Sequence, residues 1–374
     1  MNVSNGKYTY TDVYNQSSQP VFKAPQLEIM SYRLITVRER ELWNQYVHAC
    51  NMYDFYHTWY YHSLEKSGEP VLFVYEQGDC FIVFPFLKRS IPGSDLSDFT
   101  SVYGYAGPIS NVDFESMDQS TMEAFIQSFL KFLKAEKNVS VFCRLHPIIN
   151  HDLLVEKFGS LVDNGKTIAI DLTGTLEEQR SKYRRQFRSK IRQLREKKYY
   201  LKKATSKQEV QAFVKIYNEN MARVQAESYY FFDESYFFNM LNSADFESSV
   251  LLLYLEDEIT SGAFVTFSNN IMQFHLAATN NKYLQEGPMK LLIDEASIVG
   301  RENNMSYLHL GGGVGGSEDS LFEFKAGFSD MVLSFKTWRF VSDPVTYDKL
   351  VRERWGNQIV KSDFFPLYRE SNNL

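Results

Sequence analysis

A chain of 374 residues exceeds what one ordinary core fills, so two domains of about 150 to 200 residues are expected. An apolar fraction of 44% and an aromatic fraction of 16%, with 24 Tyr and 30 Phe, exclude a disordered chain and suggest ring-lined clefts. The formal net charge of −6 argues against binding nucleic acid or an anionic membrane over the whole surface, while Cys50, Cys80 and Cys143, odd in number and widely spaced, suit reduced core thiols better than a disulfide framework or a zinc site.

Residues 1–30 read as a polar leader without the apolar run of a signal peptide, and no stretch reaches the roughly 18 to 20 apolar residues of a membrane span, so a cytoplasmic protein is expected. An N-terminal domain over 31–180 follows: a helix at 37–50, a helical patch at 58–67, and strands at 71–76 and 80–88 turning at Gly78. A Gly/Ser/Asp segment at 92–100 leads into Tyr103-Gly104-Tyr105-Ala106-Gly107-Pro108, an amphipathic helix at 117–136 and strands at 139–145 and 167–171. The second half, 204–345, repeats the order, with helices at 207–222 and 234–242, strands at 249–255, 259–267 and 271–278, a helix at 289–302, a strand at 307–311, a helix at 320–328 and a strand at 332–340. Residues 346–374 read as a C-terminal tail. The repeated order points to internal duplication, and each half is expected to form a mixed, mostly antiparallel sheet flanked by helices, an α/β (α+β) class.

Between the halves, residues 181–203 carry Lys182, Arg184, Arg185, Arg188, Lys190, Arg192, Arg195, Lys197, Lys198, Lys202 and Lys203 against Glu196 alone. These eleven cations and one anion make +10, which leaves −16 for the rest of the chain. Tyr183, Phe187, Ile191 and Leu194 recur at spacings of three and four, predicting a basic linker helix that docks one apolar stripe and turns a cationic face to solvent or polyanion. Like charges this dense repel one another, which favours a phosphate-bearing partner and makes Arg188 a candidate ligand.

Two motifs in the second half carry chemistry. The turn at 280–290 opens a helix at Gly287-Pro288-Met289: the glycine lets a ligand approach, proline suits the first turn, and the unpaired amides form a site for a pyrophosphate. Many Gly-Pro helix starts bind nothing, but this one lies between strand 271–278 and the glycine strand at Tyr307. In that second motif Gly311, Gly312, Gly313, Gly315 and Gly316 crowd into six residues. Such a run costs backbone entropy and brings no packing gain, so it is either a flexible loop or a place where a ligand passes the main chain. Leu321, Phe324, Lys325 and Phe328 then share a helical face, which sets an amine among apolar neighbours and favours the ligand.

Strand, glycine-containing helix start and second strand, in this order, resemble the acyl-donor core of the GNAT N-acyltransferases. The duplicated layout, the Tyr-Gly-Tyr-Ala-Gly-Pro segment, the basic helix and Phe324-Lys325-Ala326-Gly327-Phe328 resemble more closely the FemAB-like (BioF2-like) branch, over roughly 32–340. The resemblance implies two tandem GNAT-like domains, the N-terminal one on the acceptor side and the C-terminal one on the donor side, and a transferase that joins an amine to an activated acyl group. The implied co-substrate is acyl-CoA, or aminoacyl-tRNA as in the Fem ligases. Those ligases insert a long coiled-coil arm that this chain lacks, which favours acyl-CoA. By position in its motif Lys325 corresponds to a family lysine, implying phosphate binding or stabilisation of a charged intermediate. Tyr103, Gly104 and Tyr105, with Asp98, resemble part of the family's acceptor cleft, and tyrosines beside glycines suit a sugar or peptide.

Aminolysis of a thioester needs two oriented substrates, a base and an oxyanion site. His275 and His309, both on strands, are candidate bases, with Asp319 and Glu323 near the latter in sequence. The expected reaction acylates an amine on a nucleotide- or lipid-linked sugar of cell-envelope or polysaccharide synthesis. An aminoacyl-tRNA-dependent ligase acting on a peptidoglycan precursor and a non-catalytic RNA binder are the alternatives. The sequence offers no nucleophilic triad, metal cluster or Walker loop in support of hydrolase, metalloenzyme or kinase chemistry.

Overall fold

The computed structural model describes residues 32–356, 358 and 362–370, so the leader expected at 1–30 lies outside the described residues. In chain order the first elements are β1 Tyr32–Thr36, α1 Arg40–His48, a 3-10 turn Phe55–His57, α2 Trp59–Ser63, β2 Glu69–Gln77, β3 Cys80–Ser90, β4 Ser97–Thr100 and β5 Ile109–Ser110. Next come α3 Gln119–Ala135, β6 Asn138–Arg144, α4 Asp152–Val155, β7 Ser160–Asp171, α5 Leu176–Ser181, α6 Arg185–Glu196, β8 Tyr200–Lys203, α7 Lys207–Arg223 and α8 Glu234–Leu241. The chain continues through β9 Glu247–Leu255, β10 Glu258–Ser268, β11 Ile271–Thr279, α9 Met289–Glu302, β12 Tyr307–Gly312, α10 Ser320–Lys325, β13 Met331–Val341 and α11 Pro344–Trp355.

Contacts divide the described chain into two units. One takes the residues up to Asn51, His62–Asp163 and those from Lys336 onward; the other takes Met52–Tyr61 and Asn164–Phe335. In the first, strands run β1-β2-β3-β4-β6-β13 with β5 beside β3; β4 and β6 are parallel, and the other neighbours antiparallel. In the second, the order β8-β9-β10-β11-β12-β7 repeats the plan, with β11 and β12 the parallel pair. Each order therefore holds an antiparallel edge strand, a three-strand antiparallel meander, a helix, and a strand parallel to the last of the meander, the repetition expected of a duplication.

The strand that finishes each plan comes from the other half of the sequence. β13, after the second repeat, pairs with β6 of the first unit, and β7, at the end of the first repeat, pairs with β12 of the second. The linear boundaries at 180, 203 and 345 are thus replaced by an interleaved division, because hydrogen bonding between residues far apart in sequence decides membership. Residues 181–203 are part of the second unit instead of a linker. Their helix ends at Glu196, where Lys198 at φ 65 reverses the chain, and β8 then pairs with β9. Among the described residues of the expected tail, α11 places Tyr347, Leu350 and Val351 against Ile91 and Val139, and Tyr368 joins them.

Local chemistry starts the helices where sequence spacing allows. Thr175 with Glu178 and Ser206 with Glu209 form reciprocal caps on α5 and α7. In the first unit α3 presents Phe125, Phe129 and Phe132 to Phe73, Phe84, Phe86 and Phe99 of the sheet, all buried. Each such ring stabilises by about 1.5–3 kcal/mol on burial. In the second unit the expected stripe, Tyr183, Phe187, Ile191 and Leu194, is buried with Leu291 and Leu292 of α9 and Leu308 and Leu310 of β12.

Candidate active site

The second unit opens where its parallel strands part. β11 and β12 stay in register for three pairs, Ile271 with Tyr307, Met272 with Leu308 and Gln273 with His309, while β11 runs on to Thr279. β12 continues along β7 instead, through a bulge between His309 and Gly311. A buried polar chain closes the fork. His309 Nδ1 donates to Gln273 Oε1 at 2.8 Å, and Gln273 Nε2 donates to Asp54 Oδ2 at 2.6 Å. Asp54 in turn accepts the Phe55 amide at 2.6 Å and caps the 3-10 turn. All three side chains are buried, so His309, expected as a base, braces the fork from within the core.

His275 is the first residue beyond that last pair on the same face of β11. Its Nε2 lies 2.7 Å from the Tyr236 hydroxyl and its Nδ1 3.3 Å from that of Tyr56. The rings of Phe55 and Phe264 stand edge-on at 5.3 and 6.3 Å. Burial pushes the imidazole down to about 3, so His275 is neutral.

The glycine run has a packing purpose that the sequence reading denied it. A Cβ at Gly312 would strike the Lys166 carbonyl, one at Gly316 the Asn164 carbonyl, and one at Gly313 the Ser317 carbonyl and the Asp319 carboxylate. Close passage of β7 and a tight turn account for these three, whereas Gly315, at φ 61, faces open space. Gly311 takes φ 74 beside the bulge. Asp319 accepts the amides of Val314, Leu321 and Phe322; burial works to raise its carboxyl, but these donors hold it below the ordinary value. Glu323 pairs with Arg184 on the surface. Lys325 reaches back from α10 to the Gly312 carbonyl at 2.6 Å, and burial pushes its ammonium down to about 8 against the pull of Asp319.

α9 joins the parted strands. Gly287 adopts φ 61 and ψ 48, and Pro288 starts the helix with no side-chain cap, so its first amides are free of a carboxylate cap. Lys290 lies 5.0 Å over the Phe187 ring and 5.3 Å over that of Phe324, and its Nζ reaches the Cα side of Gly287. Burial, then the neighbouring Lys190, hold the Lys290 ammonium below its ordinary value. The counterpart helix of the first unit, α3, is closed to anions: Asp118 caps it, accepting the Thr121 amide and both the Ser120 and Thr121 hydroxyls.

Six of the eleven cations at 181–203 have carboxylate partners: Lys182 with Asp330, Arg184 with Glu323, Arg192 with Glu196, Arg195 with Asp294 and Glu295, Lys197 with Glu286 and Lys202 with Glu209. The self-repulsion expected of the helix is therefore largely relieved by acids of its own unit. Among the described residues Arg185, Arg188, Lys190, Lys198 and Lys203 form no ion pair, and Arg188 is exposed.

In the first unit the acceptor candidates separate. Asp98 is buried and spent: Oδ1 accepts Arg89 Nε at 2.7 Å, and Oδ2 accepts the Tyr368 hydroxyl at 3.0 Å and Arg369. It is a clamp on the C-terminal segment, which corrects its expected role. Tyr103 is 38% exposed, Gly104 has φ 102, and Tyr105 meets the edge of His146 at 6.0 Å. Gly107 touches the buried His151 ring. Glu65 belongs with them: burial raises its carboxyl, against hydrogen bonds from Ser67 and the Tyr103 backbone.

Sequence reading missed Asp54, Tyr56, Tyr236 and Gln273. The available signal was Asp54 three residues before His57, a capping spacing inside the aromatic-dense stretch 53–61.

Comparison with known proteins follows the same lines. Residues 181–325 match the family model described as an acetyltransferase (GNAT) domain. No curated protein matches the chain. Among solved structures, FemX has a TM-score of 0.68 at 14% identity, over 86% of this chain and 99% of its own. A conserved protein of unknown function from Bacteroides thetaiotaomicron has a TM-score of 0.54 at 11% identity, over 83% and 100%. L-PGS from Bacillus licheniformis has 0.53 at 16%, over 82% and 94%. At such identities the likeness is one of fold.

Proposed function

We propose that the chain, with a GNAT acetyltransferase domain at 181–325 inside a FemX-like fold, is a FemAB-like GNAT transferase that moves an acyl group from an acyl-CoA thioester to an amine on a cell-envelope or polysaccharide precursor such as an amino-sugar nucleotide. The observation that carries this reading is the fork of β11 and β12 with an uncapped α9 between them. The start of α9, which no side chain caps, Gly287 and the ammoniums of Lys290 and Lys190 suit the donor's phosphates. Backbone groups of β11 past Gln273 lie beside the fork and suit the donor's acyl arm. The contrast with α3, whose start Asp118 fills, supports the second unit as the donor side. Lys325, an amine of lowered basicity at the Gly312 carbonyl, is assigned to stabilising negative charge that develops on the acyl oxygen or the leaving group. Tyr103 and Tyr105 are assigned to the acceptor.

Incubating the protein with a panel of acyl-CoAs and UDP-amino sugars, while free thiol is followed, tests the reading. Thiol release that needs both partners is expected; none with any pair would end it. A second reading, an aminoacyl-tRNA donor, is favoured by the exposed unpaired cations Arg185, Arg188, Lys198 and Lys203 and by likeness to FemX. Product mass separates the two, since an aminoacyl product carries an added amine.

A further inference from the structure

We propose that Tyr236 is the catalytic residue that carries the transferred proton, through a relay in which the His275 imidazole is held between the hydroxyls of Tyr236 and Tyr56; this rests on the acyl-transfer reading above. Three observations place it. His275 occupies the first position on its face of β11 after the strands part, so the relay stands at the fork. The 2.7 Å contact to Nε2 is the length of an O–H···N bond in which Tyr236 donates, and the longer 3.3 Å contact at Nδ1 suits N–H donation to Tyr56. Tyr56 is buried while Tyr236 is half-buried, which gives the relay an inner and an outer end.

The parts are held in place from outside the relay. Asp233 caps α8 and accepts the Tyr236 amide at 2.9 Å, and Tyr56 sits in the 3-10 turn that Asp54 caps. The rings of Phe55 and Phe264 fix the plane of the imidazole.

Attack of the acceptor amine forms the C–N bond and leaves that nitrogen with a surplus proton. Tyr236 Oη takes it as its own proton passes to His275 Nε2. Collapse of the tetrahedral intermediate breaks the C–S bond, and the reverse movement, from Nε2 to Tyr236 and from Tyr236 to sulfur, yields the amide and the free thiol. An imidazole that resists protonation returns its proton promptly, so the relay resets in each turnover.

The test compares wild type and Tyr236→Phe with acetyl-CoA as donor and either ethanolamine or the far less basic hydroxylamine as acceptor. Loss of about 100-fold or more in kcat with ethanolamine is expected, at unchanged KM for acetyl-CoA, with a much smaller loss for hydroxylamine, whose proton leaves without help. Equal losses with both acceptors, or none with either, would overturn the proposal. Wild type that consumes no acetyl-CoA with any amine sinks the acyl-transfer reading instead. The relay is then judged by 15N NMR of His275 in the full chain at pH 7: a neutral ring with its proton on Nδ1 is expected, and an imidazolium or an Nε2–H tautomer overturns it.

Discussion

Gln273 and His309 are the last residues of β11 and β12 in register, and their side chains are hydrogen-bonded to each other at 2.8 Å at the point where the strands separate. The same glutamine donates to the buried Asp54 carboxylate, so one amide holds two strands and a turn more than 200 residues away in sequence. Replacing Gln273 by Leu removes one hydrogen-bond partner from each of the buried Asp54 and His309 side chains. A loss of about 2–3 kcal/mol is expected in urea unfolding. In a double-mutant cycle with His309→Leu the two changes should be clearly non-additive.

The C-terminal clamp makes a second prediction. Asp98 is fully buried between Arg89 and Arg369, so removing Arg369 leaves its carboxylate with one guanidinium instead of two. Arg369→Ala should destabilise by about 1.5–3 kcal/mol, the loss of a hydrogen bond to a charged group, in denaturant titration. Truncation after Phe335 should do more, because it removes the β13 residues that pair with β6 along with Trp338, and so exposes the core of the unit built mainly from the N-terminal half. Limited proteolysis of the truncated chain should degrade the N-terminal region first; resistance there would contradict the strand assignment.

Features written in local periodicity were legible. The helix at 289–302 and the stripe of Tyr183, Phe187, Ile191 and Leu194 appear at the residues expected, since spacing alone reports which side faces a core. Pairing across the chain was not legible. β4 looked like a polar loop because Ser97 and Asp98 are buried by partners outside it, Glu136, Arg89 and Arg369, which no local pattern announces. The exchange of β7 and β13 was hidden for the same reason. Within the site, His275 stood out as a strand histidine, whereas Tyr236 and Tyr56 gain meaning only once folding brings residues 39 and 219 positions from it to its two nitrogens. The glycine run misled because Gly312 and Gly316 are small to admit main chain from β7, a neighbour 146 or more residues earlier.

Acid should weaken the fold over a defined window. Burial holds His275 near 3 and His151 near 4, against about 6.5 in an unfolded chain. Above pH 6.5 both states are neutral at these sites and the full stability is present. As pH falls, only the unfolded chain takes up protons, so each histidine costs about 1.4 kcal/mol per pH unit until its folded value is reached. Unfolding free energies at pH 7, 6 and 5 should therefore fall more steeply in wild type than in His275→Gln, which keeps a donor and an acceptor but does not titrate. Parallel curves would show that His275 is not buried neutral.

The start of α9 gives the sharpest test of the donor site. Gly287 sits at φ 61, a conformation costly for a β-branched residue, and Lys290 is an ammonium confined between two rings with Lys190 nearby and, among the described residues, no carboxylate pairing with it. An anion bound there relieves both the burial of Lys290 and its repulsion by Lys190, so binding should raise the basicity of that amine and take up a proton at alkaline pH. Calorimetry with coenzyme A in buffers of different ionisation enthalpy should register that uptake. Lys290→Ala should weaken coenzyme A about 10- to 100-fold, the loss of one charge-assisted contact, and Gly287→Val should weaken it further by displacing the helix start. Asp118→Ala, at the matching helix of the first unit, should leave the affinity unchanged. Equal weakening by Lys290→Ala and Asp118→Ala would mean that the two helix starts do not differ in the way their caps indicate, and the donor site would have to be sought elsewhere.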